Sequence, residues 1–197
     1  MKWEELLQFN IKSIIKMKNI AFLTSLISLF FLNSCVKTLE APEQINEEEL
    51  ITTLVVSLES ATDQVELRYT DLDGDGPNQG VFQAPNLKPN TTYSGKLEFL
   101  NESESPAEDI TLEIEEEAND HQVFYVVNGL NATIEPINID KNGYYLGTSF
   151  SLTTLSASEG QLQFILRHLP TKPNDGNPAT AGGATDLSVI FNLKITE

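Results

Sequence analysis

The sequence predicts a mainly β protein, an antiparallel β-sandwich with one short helix. Three observations point there. Apolar and polar residues alternate with a period of two in five segments between Leu50 and the end of the chain. Clusters of Asp, Asn, Gly and Pro separate those segments, as turns require. Only one stretch, 105–118, opens with helix-start chemistry.

The segments follow in order. Leu50, Thr52, Leu54, Val56 and Leu58 fall on one side of the first strand. Val65, Leu67 and Tyr69 alternate with Glu66, Arg68 and Thr70, and Leu97 and Phe99 with Lys96 and Glu98. Leu162, Phe164 and Leu166 form a further row. The last row is the longest: Leu187, Val189, Phe191, Leu193 and Ile195, with Ser188, Asn192 and Lys194 opposite. This apolar-in, polar-out pattern is that of antiparallel sheet with one face on a core. Residues 122–127, 132–137 and 148–154 are further strand candidates. The helix is expected near 106–118. Ser105 stands as N-cap, Pro106 at the first helical position and Glu108 three residues after the serine, which together make a capping box. Ile110 and Ile114 would share its buried face, although Ile110, Leu112 and Ile114 also alternate as a strand would.

Between 87 and 93, Leu87, Pro89 and Tyr93 carry a Leu-x-Pro-x-x-x-Tyr run just before a strand. This resembles the tyrosine corner of fibronectin type III and other immunoglobulin-like domains. The resemblance implies an immunoglobulin-like sandwich in which the tyrosine hydroxyl bonds to upstream backbone. It implies a fold and no function.

The N-terminal region has a different grammar. Residues 20–32 are thirteen in a row without a charge, preceded by Lys12, Lys16 and Lys18. A basic stretch followed by a short apolar one reads as a secretory signal, and the run is short for a membrane span of roughly 20 residues. It ends at Leu32-Asn33-Ser34-Cys35, and Cys35 is the only cysteine. A lone thiol makes no disulfide and no cysteine-rich zinc site. The ending resembles the bacterial lipobox, which implies cleavage before Cys35 and lipidation of its sulfur. Two or three acyl chains, at ~0.8 kcal/mol per buried CH₂, anchor a protein durably. Glu4 and Glu5 fit a signal poorly, and Met17 reads as the more natural start. The expected organisation is a signal at 1–34, an acidic tether at 35–48 and one domain at 49–197.

The chain carries a net charge of −17, and the first 34 residues contribute four lysines and two glutamates, so their removal leaves −19. Such a surface disfavours nucleic acid and anionic lipid head groups. The lipobox, followed in order by INEEELITTL, DLDGDG, LKPNTTYSG, PAEDI, EEEANDHQVFY and AGGATD, is similar to a family of small acidic bacterial lipoproteins catalogued as a "type 1 periplasmic binding fold superfamily". That label implies two α/β lobes, whereas these residues predict one helix among many strands. The resemblance therefore implies a lipoprotein and does not bring solute capture with it. Val36 and Lys37 after the cysteine carry no retention aspartate, which by analogy with bacterial lipoproteins leans toward the outer membrane over the inner.

The stretch DLDGDG places Asp71, Asp73 and Asp75 at alternate positions before Gly76. This is the first half of a calcium loop, in which hard carboxylate oxygens converge around a sharp turn. An EF-hand is excluded, because the position of its bidentate glutamate is Phe82. A looser calcium-stabilised turn is expected at Asp71, Asp73 and Asp75. Asn138, Asp140 and Asn142 before Gly143 are a weaker echo. His121 and His168 are the only histidines, and metal or acid–base chemistry would require them to meet. Neither a Gly-x-Ser-x-Gly elbow nor a phosphate loop is present. Residues 170–186 form a long connection, either a recognition loop or a mobile connector. The reading is a lipid-anchored cell-envelope binding or scaffolding module with a protein or glycan partner, with calcium as its cofactor and without catalysis. The alternative is a metal-dependent envelope hydrolase using His121 and His168.

Overall fold

The computed structural model describes residues 50–74 and 78–197. Cys35, the signal and tether segments, and Asp75 lie outside the described residues. Within them the chain forms β1 (Thr53–Glu59), β2 (Gln64–Thr70), β3 (Val81–Gln83), β4 (Thr92–Asn101) and β5 (Glu108–Asp109). Helix α1 (Thr111–Glu116) follows, then β6 (His121–Asn128), β7 (Ala132–Pro136), β8 (Ser149–Thr154), β9 (Ser158–His168) and β10 (Ala184–Ile195).

All strand pairings are antiparallel. One sheet runs β3-β2-β1-β4-β8-β7, with β5 also on β4; the other runs β10-β9-β6. The expected rows of apolar side chains form the core between them. Leu54, Val56, Leu58, Leu67, Leu97 and Phe99 of the larger sheet meet Leu162, Phe164, Leu166, Phe191 and Leu193 of the smaller. Phe164 sits at the centre of an aromatic chain, 5.8 Å from Phe150 and 6.1 Å from Phe191 between ring centroids. Gly95 lies opposite Phe150 across β4 and β8. A Cβ there would fall 2.2 Å from the Phe150 ring, so the missing side chain leaves room for the ring.

The tyrosine corner is formed. The Tyr93 hydroxyl accepts from the Lys88 N–H at 2.9 Å and donates to Asp63 Oδ2 at 2.7 Å. Burial, reinforced by Asp63, pushes its pKa up to about 12. Just upstream, Leu87 bridges the end of β10: its N–H donates to Lys194 O, and Thr196 N–H donates to Leu87 O. The corner thus ties the last strand of the smaller sheet to the segment entering β4.

Two details depart from the expectation. Leu50 lies ahead of β1 and is exposed, so the buried row begins later. The helix is shorter than 106–118. Glu108 and Asp109 pair with Asn101 and Leu100 as β5, which requires extended backbone. Asp109 Oδ1, not Ser105, then accepts the Thr111 N–H at 3.1 Å. The expected Ile110 and Ile114 face is nonetheless the buried one, and Leu112 is exposed.

Candidate binding cleft

β6 is an edge strand of the smaller sheet, and β7 is an edge strand of the larger. The chain between β7 and β8 folds beside β6 as a hairpin. Ile139 pairs with Tyr145, and the Asp140 N–H donates to Tyr144 O at 2.7 Å. Asp140 Oδ1 accepts from the Asn142 and Tyr144 N–H groups, which closes the turn, and Gly143 takes a left-handed φ of 85°. The hairpin is hydrogen-bonded to β6: Val123 N–H donates to Leu146 O at 2.7 Å, and the Tyr125 hydroxyl donates to Gly147 O.

The long connection before β10 covers the outer face of the smaller sheet. Ala181 is fully buried against Phe124 and Ile165. Arg167 donates to the carbonyls of Pro178 and Gly183, and Thr171 N–H donates to Ala181 O. An apolar second cluster on the outward side of β6 and β9 explains why the connection lies flat.

One ion pair joins the two loops. The Lys172 ammonium donates to Asp140 Oδ2 at 3.2 Å, to Ala118 O at 2.7 Å and to His121 O at 2.6 Å. Its three N–H groups thus have three acceptors. The side chains are 6% and 0% exposed for Lys172 and Asp140. Burial alone would raise the Asp140 pKa, but the Tyr144 N–H, the Lys172 ammonium and the Asn142 N–H outweigh it and hold the carboxyl below its ordinary value. Burial lowers the Lys172 pKa against the pull of Asp140. A buried pair of this kind adds little net stability over an apolar one. Its consequence is positional, since it fixes the register of two loops 32 residues apart in sequence.

Between β6, β7 and these loops lies a cleft of about 490 Å³. Ile134, Pro136, Tyr144 and Tyr145 line it together with Gln122 and Asn174. Gln122 is buried, and its Oε1 accepts from Asn174 Nδ2 at 2.8 Å. Asn174 also donates to Thr171 O and accepts from Gly176 N–H, so the polar wall is held by its own hydrogen bonds.

The calcium candidates Asp71 and Asp73 line a second hollow, of about 310 Å³, with Asn78 and Gln79. Asp71 Oδ2 accepts from the Tyr69 hydroxyl at 3.1 Å, whereas Asp71 Oδ1 is buried and has no hydrogen-bond partner among the described residues. Asp73 Oδ2 accepts from Asn78 Nδ2 at 2.7 Å. In the weaker echo, Asp140 has Lys172 where a cation would sit, so the turn is closed by an ammonium.

His121 and His168 do meet. They are register partners across β6 and β9, with ring centroids 4.9 Å apart and planes 14° from parallel. Their nitrogen lone pairs therefore lie in nearly parallel planes. Burial lowers the His121 pKa, with His168 and Lys172 adding to the shift and the Glu117 carbonyl and Asp120 opposing it. Among the described residues no three His, Cys, Asp or Glu side chains group around a common point.

The sequence reading missed the Lys172–Asp140 pair and the two cleft tyrosines. The tyrosines had a signal, an adjacent aromatic pair directly after an Asn-Gly turn. The ion pair had none, because its partners lie on separate loops. No family model, curated protein or solved structure matches the chain.

Proposed function

We propose that this chain is a lipid-anchored cell-envelope binding module, moored through Cys35 to the outer membrane, whose binding surface is the cleft beside β6. The observation that carries the reading is the Lys172–Asp140 pair. Two loops that could move freely are locked into one concave wall before any ligand arrives, and preorganisation of this kind favours binding. Hydrogen exchange tests the reading. An envelope extract should slow exchange in residues 138–147 and 170–183, whereas a cytosolic extract should not. Equal effects of both extracts, or none, would remove the cleft from the proposal. The anchor is tested separately, by labelling with a clickable palmitate. Label should enter the chain and vanish in Cys35→Ala.

A stabilising calcium ion at Asp71 and Asp73 belongs to the same proposal, and Asp71 Oδ1 supports it. A buried carboxylate oxygen that finds no donor among the described residues is what a hard cation would satisfy. For a millimolar-class site, 10 mM calcium stabilises by about 1.4 kcal/mol, or roughly 3–6 °C in Tm for a domain of this size. Asp71→Asn should abolish that gain. A melting temperature indifferent to calcium would eliminate the site.

A further inference from the structure

We propose that the cleft beside β6 takes a neutral saccharide, an inference that rests on the cleft being the binding surface and adds its ligand class. The volume of about 490 Å³ falls among small-ligand pockets, which span roughly 300–1,000 Å³. Its lining combines two chemistries. Ile134, Pro136, Tyr144 and Tyr145 are apolar and aromatic, and Gln122 and Asp175 are polar. A sugar ring combines the same two. Its C–H face packs on an aromatic ring, and its rim of hydroxyls both donates and accepts.

The hydrogen-bonding inventory fits hydroxyls. Gln122 Oε1 is engaged by Asn174, which leaves the Nε2 hydrogens to donate to a ligand. Asp175 Oδ1 accepts from the Asn177 N–H and the Thr180 hydroxyl, which leaves Oδ2 to accept from one. The tyrosine rings are available as well: Tyr144 is 37% and Tyr145 52% exposed, whereas the aromatic residues of the core are buried.

Charge argues for a neutral ligand over an anionic one. Among the described residues Lys172 is the only cationic side chain lining the cleft, and its ammonium is fully engaged by Asp140 and two carbonyls. No other described residue of the lining would neutralise a phosphate, a sulfate or a sugar acid. Asp175 and the net charge of −17 would repel one.

The test uses the isotope-labelled full chain, titrated with neutral chitobiose, cellobiose and maltose, anionic sialyllactose and cationic tetralysine, each followed by amide chemical shifts. The expected result is that a neutral disaccharide moves the amides of Gln122, Tyr145 and Gly176. Tyr145→Ala should then weaken binding at least tenfold with Tm unchanged, and Gln122→Ala should weaken it independently. If tetralysine or sialyllactose moves these amides and the neutral sugars do not, the saccharide assignment fails and the binding module stands. If envelope extract protects the cleft but no neutral sugar does, the same conclusion follows. Neutral-sugar binding that Tyr145→Ala leaves intact would also overturn the assignment.

Discussion

Replacing Lys172 with methionine leaves the Asp140 carboxylate buried without its counter-charge, and it strips a donor from each of the Ala118 and His121 carbonyls. Removing one partner of a buried pair costs about 3–5 kcal/mol, far more than the pair is worth against an apolar replacement. For a unit spanning Glu47–Glu197, each kcal/mol shifts Tm by roughly 2–4 °C, so Lys172→Met should melt about 6–20 °C lower. The double variant Lys172→Met, Asp140→Asn keeps an acceptor for the Asn142 and Tyr144 N–H groups and removes the stranded charge. It should recover more than half of the loss. The pH dependence has a definite sign. Because the folded-state pKa of Asp140 is depressed, its contribution is present above the unfolded value of about 3.9 and is lost as pH falls through the folded value. The gap between wild type and Lys172→Met should therefore close below about pH 4. Urea titrations at pH 7 and pH 3.5 measure both quantities. A Lys172→Met variant within about 2 °C of wild type at pH 7 would refute the reasoning.

His121 gives a second pH signature. Its folded-state pKa lies below the ordinary value, so the unfolded chain binds more protons as pH falls below about 6.5, and stability should drop over that window. His121→Gln should flatten the slope between pH 7 and pH 5 in denaturant titrations. Tyr93→Phe leaves the Lys88 N–H without its acceptor and takes the hydroxyl donor from Asp63 Oδ2, while Asp63 Oδ1 keeps the Lys88 ammonium, at a cost of about 1–3 kcal/mol by urea unfolding. Gly95→Ala drives a methyl into the Phe150 ring, and overpacking of this kind costs about 1–3 kcal/mol in the same assay.

The strands that could be read from the sequence were those whose side chains alternate between core and water. Val65 to Leu67 and Val189 to Ile195 are of this kind, because burial on one face imposes the period directly. Val81–Gln83 was not legible: its three residues are all exposed, so no alternation marks them. The capping-box reading failed because helix-start chemistry is local, while pairing of Glu108 and Asp109 with the end of β4 is not. Tyr93 was legible because its corner lies within seven residues of chain. The cleft was not. Its walls come from β6, β7, the 138–147 hairpin and the 170–183 connection, and long-range pairing leaves no local pattern. The histidine pair lies between these cases: both strands were expected, but their register sets His121 opposite His168 and is fixed only by the whole ladder.

Native-state hydrogen exchange on the wild-type chain without ligand tests the preformed cleft most directly. The amides of Val123, Asp140, Leu146 and Thr171 hydrogen-bond within or between the loops and β6. They should exchange together and slowly, with protection approaching that of β9, and Lys172→Met should speed those of Asp140 and Thr171 as a pair. Rapid exchange of Asp140 and Thr171 in the wild-type protein, beside a protected β9, would mean that the loops are not locked and that the cleft is not built in advance of its ligand.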